Sequence, residues 1–120
     1  MVCAAVGWLC VETASTDTLE NVTDIRRNSR TDAVALVKGG NLSSALEEES
    51  AYRSLQAAGA YEEMASVFLD RHREEFRLLD PTSELSVTRV QNDDLGFHQV
   101  RFSQWYRELV VLDAELIVHF

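Results

Sequence analysis

The residues able to do chemistry here are three histidines, two cysteines, scattered serines and short runs of carboxylates. A zincin-type hydrolase needs two histidines four apart on one helix face with a glutamate between them. His72 is followed by Arg73-Glu74-Glu75, and position 76 is a phenylalanine, so that pair is missing. His72 falls on a helical stripe and His119 on the odd-numbered face of a strand, which points them apart rather than toward one metal ion. A serine nucleophile on a strand-to-helix elbow needs a GxSxG context, and no serine has one. Cys3 and Cys10 have no histidine nearby in sequence and lack CxxC spacing. Glu47–Glu49, Glu62-Glu63 and Glu74-Glu75 read as solvated helix faces, because an acid/base dyad needs burial to set its pKa values apart. Gly39-Gly40 reads as a turn, not as a phosphate-binding loop. These exclusions leave no catalytic, metal-binding or cofactor-binding residue, and the chain reads as a non-enzyme.

Composition narrows the partners. Apolar residues make up 46% and charged residues 26% of 120, the balance of one ordinary globular domain. The formal net charge of −9 repels phosphate backbones and anionic lipid, so neither nucleic acid nor membrane is expected as a partner. No run approaches the length of a membrane span. Met1–Cys10 is apolar but lacks the positive n-region of a signal peptide, and reads as a truncated end or a first strand. Its two cysteines read as small apolar residues; a disulfide between them would close only a small loop. Asn21-Val-Thr23 and Asn41-Leu-Ser43 fit the N-glycosylation triplet, which arises by chance.

The elements that must position these residues sharpen along the chain. Residues 1–42 form a poorly defined segment with one or two strands. Within it Ala33–Val37 reads as a short strand, and Asp17–Asp32 as loop or a weak helix in Asp17–Asn28. Residues 43–120 read as helix, helix and three antiparallel strands, within one domain overall. Ser44 and Glu47 have capping-box spacing, which predicts a helix from there to Ala58 with Glu47–Glu49 in its first turn. Tyr61, Met64, Ala65, Phe68, Leu69, His72 and Phe76 recur at helical steps, which predicts a second helix from Ala60 to Leu78, stopped by Asp80-Pro81. After Pro81 the period becomes two, giving strands around Leu85–Val90, Val100–Tyr106 and Val110–Phe120, with a turn at Asn92–Gly96. The even-numbered face of the last two strands is apolar and is expected to take the helical stripe.

Parity also predicts register. A loop of three or five residues centred on Glu108 pairs even with even positions. That sets Val100 opposite Leu116, Phe102 opposite Ala114, and Arg101 opposite Glu115 as an ion pair. Tyr106 is expected to pack under the hairpin, and Trp105 to stand on the more exposed odd face as an anchor for a partner. An exposed edge strand could also pair two copies into a dimer.

A set of these residues resembles a known family. Ala65-Ser-Val-Phe-Leu69 with His72 and Phe76, Asp80-Pro81, Glu84-Leu85, Asp94-Leu-Gly96, Val100-Arg-Phe102, Gln104, Tyr106, Val111 and Ala114-Glu-Leu-Ile-Val-His119 resemble the propeptide (FTP) domain of fungalysin-like and thermolysin-like zinc metallopeptidases. The likeness covers about residues 60–119. The sequence departs from the family pattern at Gln99 (histidine in the family), Glu108 (a turn glycine), Val110 (proline) and Asp113 (glycine), and loss of the turn glycine predicts strain. The resemblance implies an α+β, cystatin-like fold with helices packed on a small antiparallel sheet. It implies a secreted propeptide that helps fold and inhibits its peptidase, with a metallopeptidase catalytic domain or a second propeptide domain as partner. Arg101, Gln104, Trp105, Tyr106, Glu115 and His119 are its interaction or structural motif. The alternative is a free-standing cystatin-like interaction module without a protease; an enzyme or small-molecule carrier using the concave sheet face is a third reading.

Overall fold

The computed structural model describes residues 19–120. The readings placed on Cys3, Cys10 and the apolar Met1–Cys10 lie outside the described residues. The fold is α+β. Two strands, β1 (Val22–Arg27) and β2 (Val34–Gly39), form an antiparallel hairpin. Helices α1 (Ser50–Ala58) and α2 (Tyr61–Arg71) follow, then a short helix α3 (Pro81–Glu84). Strands β3 (Leu85–Asn92), β4 (His98–Tyr106) and β5 (Leu109–His119) close the chain as a second antiparallel sheet in the order β3-β4-β5.

The first hairpin corrects the weak helix placed in Asp17–Asn28, since β1 occupies that stretch. Local chemistry makes the turn: Asn28 Oδ1 accepts from the backbone of Arg30 and Thr31 at 2.8 and 3.1 Å, and Asp32 takes a positive φ of 59°. Gly39 is required where β2 ends. A Cβ there would collide with the Asn21 carbonyl and the Leu42 side chain.

The capping box expected at Ser44 and Glu47 does not form. Ser44 Oγ instead accepts from Asn21 Nδ2 at 3.0 Å, and Glu47 accepts from Asn41 Nδ2 at 2.8 Å and Gln56 Nε2 at 3.2 Å. Those side chains are drawn into links between the first hairpin and α1. A 3-10 turn (Leu46–Glu48) takes the space, and α1 starts only after Glu49, so the acidic run precedes it. The amides of both glycosylation triplets are engaged in these links. Gly59, at φ 67°, ends α1: its N–H returns to Gln56 and that of Ala60 to Leu55, at 3.1 and 3.0 Å.

The second helix also stops earlier than expected, at Arg71 rather than Leu78. Beyond it the chain passes through turns in which Arg77 adopts φ 57°, and this redirects Leu78 into the core, where it is buried. Asp80-Pro81 therefore starts a helix instead of stopping one. Proline suits a first helical position because its missing N–H would be unpaired there anyway. Asp80 accepts from Thr82 N at 3.3 Å, while Glu84 Oε1 reaches back to the N–H groups of Leu79 and Asp80 at 2.6 and 2.7 Å. The reciprocal cap that spacing predicted at Ser44 is built here.

The core lies where the even-numbered sheet face meets α2. Met64, Ala65, Phe68 and Leu69 are buried against Val100 and Phe102, with Leu116, Val118 and Phe120 alongside. His72 is buried next to the Phe68 ring, 4.7 Å between centroids. His98 stacks on Tyr61 at 3.9 Å, and its Nδ1 lies 2.6 Å from Asn92 Oδ1.

Candidate interaction surface

The surface is built from the β4–β5 hairpin, whose register departs from expectation. The loop is two residues, Arg107-Glu108, with Tyr106 opposite Leu109 and Trp105 opposite Val110. That pairs even with odd. Farther along, Ser103 faces Glu115, Phe102 faces Leu116 and Val100 faces Val118, which pairs even with even. Between the two stretches, Gln104 alone opposes residues 111–114, so β5 carries three more residues than β4 (four against one). An odd excess flips parity. The bulge thus reconciles a tight turn with a core that needs even positions on one face. Asp113, at φ 58°, sits inside it.

Arg101 and Glu115 do meet, at 2.7 Å between Nη1 and Oε1. They meet diagonally, because Ile117 is the residue opposite Arg101 and Ser103 the one opposite Glu115. The ion pair holds while the register that predicted it is corrected. It also offsets a like-charge neighbour, since Arg89 of β3 lies directly across from Arg101.

The other motif residues spread along the sheet. Gln104 is half-buried at the bulge, opposite Leu85 of β3. Trp105 is 36% exposed on the odd side. Tyr106 does not pack under the hairpin: it is 60% exposed, with the Arg107 guanidinium 5.3 Å over its ring. His119 is exposed opposite Gln99, about 30 Å along β5 from the turn by strand rise. The six residues therefore form no single cluster. Trp105 and Tyr106 belong to the tip, Arg101 and Glu115 to the middle, His119 to the far end. The three histidines do not converge either; among the described residues no three metal-ligating side chains gather.

Sequence reasoning missed the rest of the tip. Val110 and Leu112 were expected on the core face, yet Leu112 is 83% exposed and Val110 nearly half. Leu109 is 72% exposed and Val111 also faces solvent. The bulge is the cause: β5 changes face there, so even-numbered residues before it leave the helical layer. The missed signal was the apolar run Leu109–Leu112 standing directly against a two-residue turn. Together with Trp105 and Tyr106 it leaves six exposed apolar side chains at the tip, with the cross-strand pairs Trp105–Val110 and Tyr106–Leu109 on opposite faces of the hairpin.

Burial holds the Tyr52 phenol above its ordinary pKa, against a weaker opposing effect of the Ser43 hydroxyl. Among the described residues no helix is long and apolar enough to cross a membrane. No curated protein and no solved structure matches the chain. A family model does match, over a shorter stretch than the resemblance spanned: α2 lies ahead of it, and it takes in the whole β3-β4-β5 sheet. Residues 83–120 match the model of the Fungalysin/Thermolysin Propeptide Motif, about a third of the chain.

Proposed function

We propose that this chain is a propeptide-type domain of a secreted thermolysin-like zinc peptidase, and that it assists folding and holds the peptidase inactive through surface binding. The observation that carries the reading is the apolar β4–β5 tip, which lies wholly within the matched propeptide motif. Exposed aromatic and aliphatic side chains on a rigid hairpin can anchor a partner because they bury large apolar area at small entropic cost. The mechanism is complementarity of surfaces, with no bond made or broken by this chain. The partner is the peptidase catalytic domain or a second propeptide domain.

The test begins by sequencing the natural transcript through the Phe120 codon. Continuation into a domain with an HExxH helix is the expected outcome, and the catalytic domain so identified is then refolded with and without this chain. We expect higher refolding yield and inhibition in trans, with both effects reduced at least tenfold in binding constant by Trp105→Asp with Leu109→Asp. A stop codon directly after Phe120 overturns the propeptide reading and leaves the free-standing interaction module.

A further inference from the structure

The chain has 11 lysine and arginine residues against 20 carboxylates, yet Arg26, Arg27 and Arg30 crowd into one short stretch. Arg26-Arg27 is the only adjacent pair of basic residues in the sequence, and Arg27 with Arg30 is the only pair of arginines three apart. The stretch forms the turn of the β1–β2 hairpin, and every residue from Ile25 to Asp32 is exposed.

The turn is held mostly by its own atoms. Asn28 N donates to Ala33 O at 2.9 Å, Asp32 N to Asn28 O at 2.8 Å, and Ala33 N to Thr31 Oγ1 at 3.3 Å. Outward ties come from the surface ion pairs Arg27–Glu75 and Arg77–Asp32. The Arg30 side chain enters none of these bonds and stands in solvent. No residue of β1 or β2 belongs to the main core, so the turn can open without disturbing it. An exposed, polar turn held locally is where endopeptidases nick folded chains, because the substrate backbone must be drawn out extended.

We propose that Arg27-Asn-Ser-Arg30 is a processing site, hydrolysed at the Arg30–Thr31 bond by an endopeptidase whose substrate cleft holds a carboxylate for each arginine. Guanidinium and carboxylate pair through two parallel hydrogen bonds, so two arginines at fixed spacing select a cleft with two acidic pockets. Water adds across the bond: C–N breaks, Arg30 gains a carboxylate and Thr31 an ammonium group, with no change of oxidation state. Arg27 is the less suitable scissile position, since it still belongs to β1 opposite Val34. Arg107 is the other arginine at a hairpin turn. Its loop has two residues with Tyr106 and Leu109 paired directly beside it, so drawing it out breaks the ladder, and glutamine stands three residues before it. Arg53 and Arg71 lie in helices, and Arg89 and Arg101 within strands. The cut removes the covalent turn between β1 and β2 and leaves β1 held by noncovalent contacts, which favours its release. The site does not depend on whether the chain serves a peptidase as propeptide.

The test digests the folded 120-residue chain with two enzymes. Trypsin reads the arginine before the cut; a subtilisin-type processing endopeptidase also requires arginine three residues earlier. With the second enzyme we expect fragments 1–30 and 31–120, identified by mass spectrometry, at least tenfold faster than any other cut. Arg30→Gln should abolish that cut. Arg27→Gln loosens the tie to Glu75, so trypsin should cut after Arg30 as fast as before or faster, while the second enzyme slows at least tenfold. The opposite responses separate recognition of Arg27 from loosening of the turn. A first cut elsewhere by the second enzyme, equal effects of Arg27→Gln on both enzymes, or cleavage only at the rate of global unfolding would each overturn the proposal.

Discussion

At the scale of single residues, environment and not chemistry distinguishes the titrating side chains. Tyr52 is the clearest case, its phenol pKa held above the ordinary value by burial in the core. A phenol whose folded pKa is raised keeps its proton while the unfolded chain loses it. Its contribution to stability is therefore complete below the unfolded value of about 10 and is lost as pH rises through the folded value. Chemical denaturation from pH 8 upward should show stability falling above about pH 10, and Tyr52→Phe should flatten that limb. An alkaline limb of the same steepness in both proteins would mean that other groups cause it. The histidines show why residue type alone could not locate a site. His72 fills core space, His98 stacks on Tyr61, and His119 faces outward, so three potential ligands serve three unrelated positions.

At the scale of elements, the β4–β5 hairpin holds the strain that loss of the turn glycine predicted. Arg107 and Glu108 both adopt positive φ, 48° and 67°, the pattern of a type I′ turn. A side chain in this region costs about 1–2 kcal/mol, which glycine avoids while giving back some chain entropy. Glu108→Gly should therefore stabilise the chain by about 0.5–1 kcal/mol and slow amide exchange at residues 105–109. Thermal melting and exchange together check it; faster exchange at the tip would refute the strain argument. Element positions were legible in the sequence where burial imposed a period, as in the α2 stripe and the strands after Pro81. Register was not, because parity constrains only whether loop plus bulge is odd or even. A three-residue loop and a two-residue loop with a three-residue bulge satisfy the same constraint. The ends of α1 and α2 were hidden for a related reason: Ser44, Glu47 and Arg77 answer to tertiary partners rather than to helical spacing. The apolar tip was misplaced by that same register error. Its motif residues Trp105 and Tyr106 were nonetheless readable.

At the scale of the whole molecule, the β1–β2 hairpin is joined to the helices and larger sheet by a few polar ties. Arg27 Nη2 meets Glu75 Oε2 at 2.6 Å, and Val34 N donates to Glu75 O at 3.1 Å. Arg77 Nη2 meets Asp32 Oδ2 at 3.2 Å. The hydrogen bond with Glu75 raises the pKa of Arg27 above its ordinary value. Exposed ion pairs contribute little each, typically 0–1 kcal/mol, and salt screens them. The main core, by contrast, is apolar and lies between α2 and the β3-β4-β5 sheet. Opening of the first hairpin should therefore cost less than global unfolding. Arg27→Ala with Arg77→Ala should speed amide exchange over residues 22–39 several-fold while leaving residues 98–104 and 115–119 at the rate of the parent chain. High salt should reproduce part of the effect without any substitution. If both regions accelerate together, the two sheets unfold as one cooperative unit and the ion pairs are not what joins them.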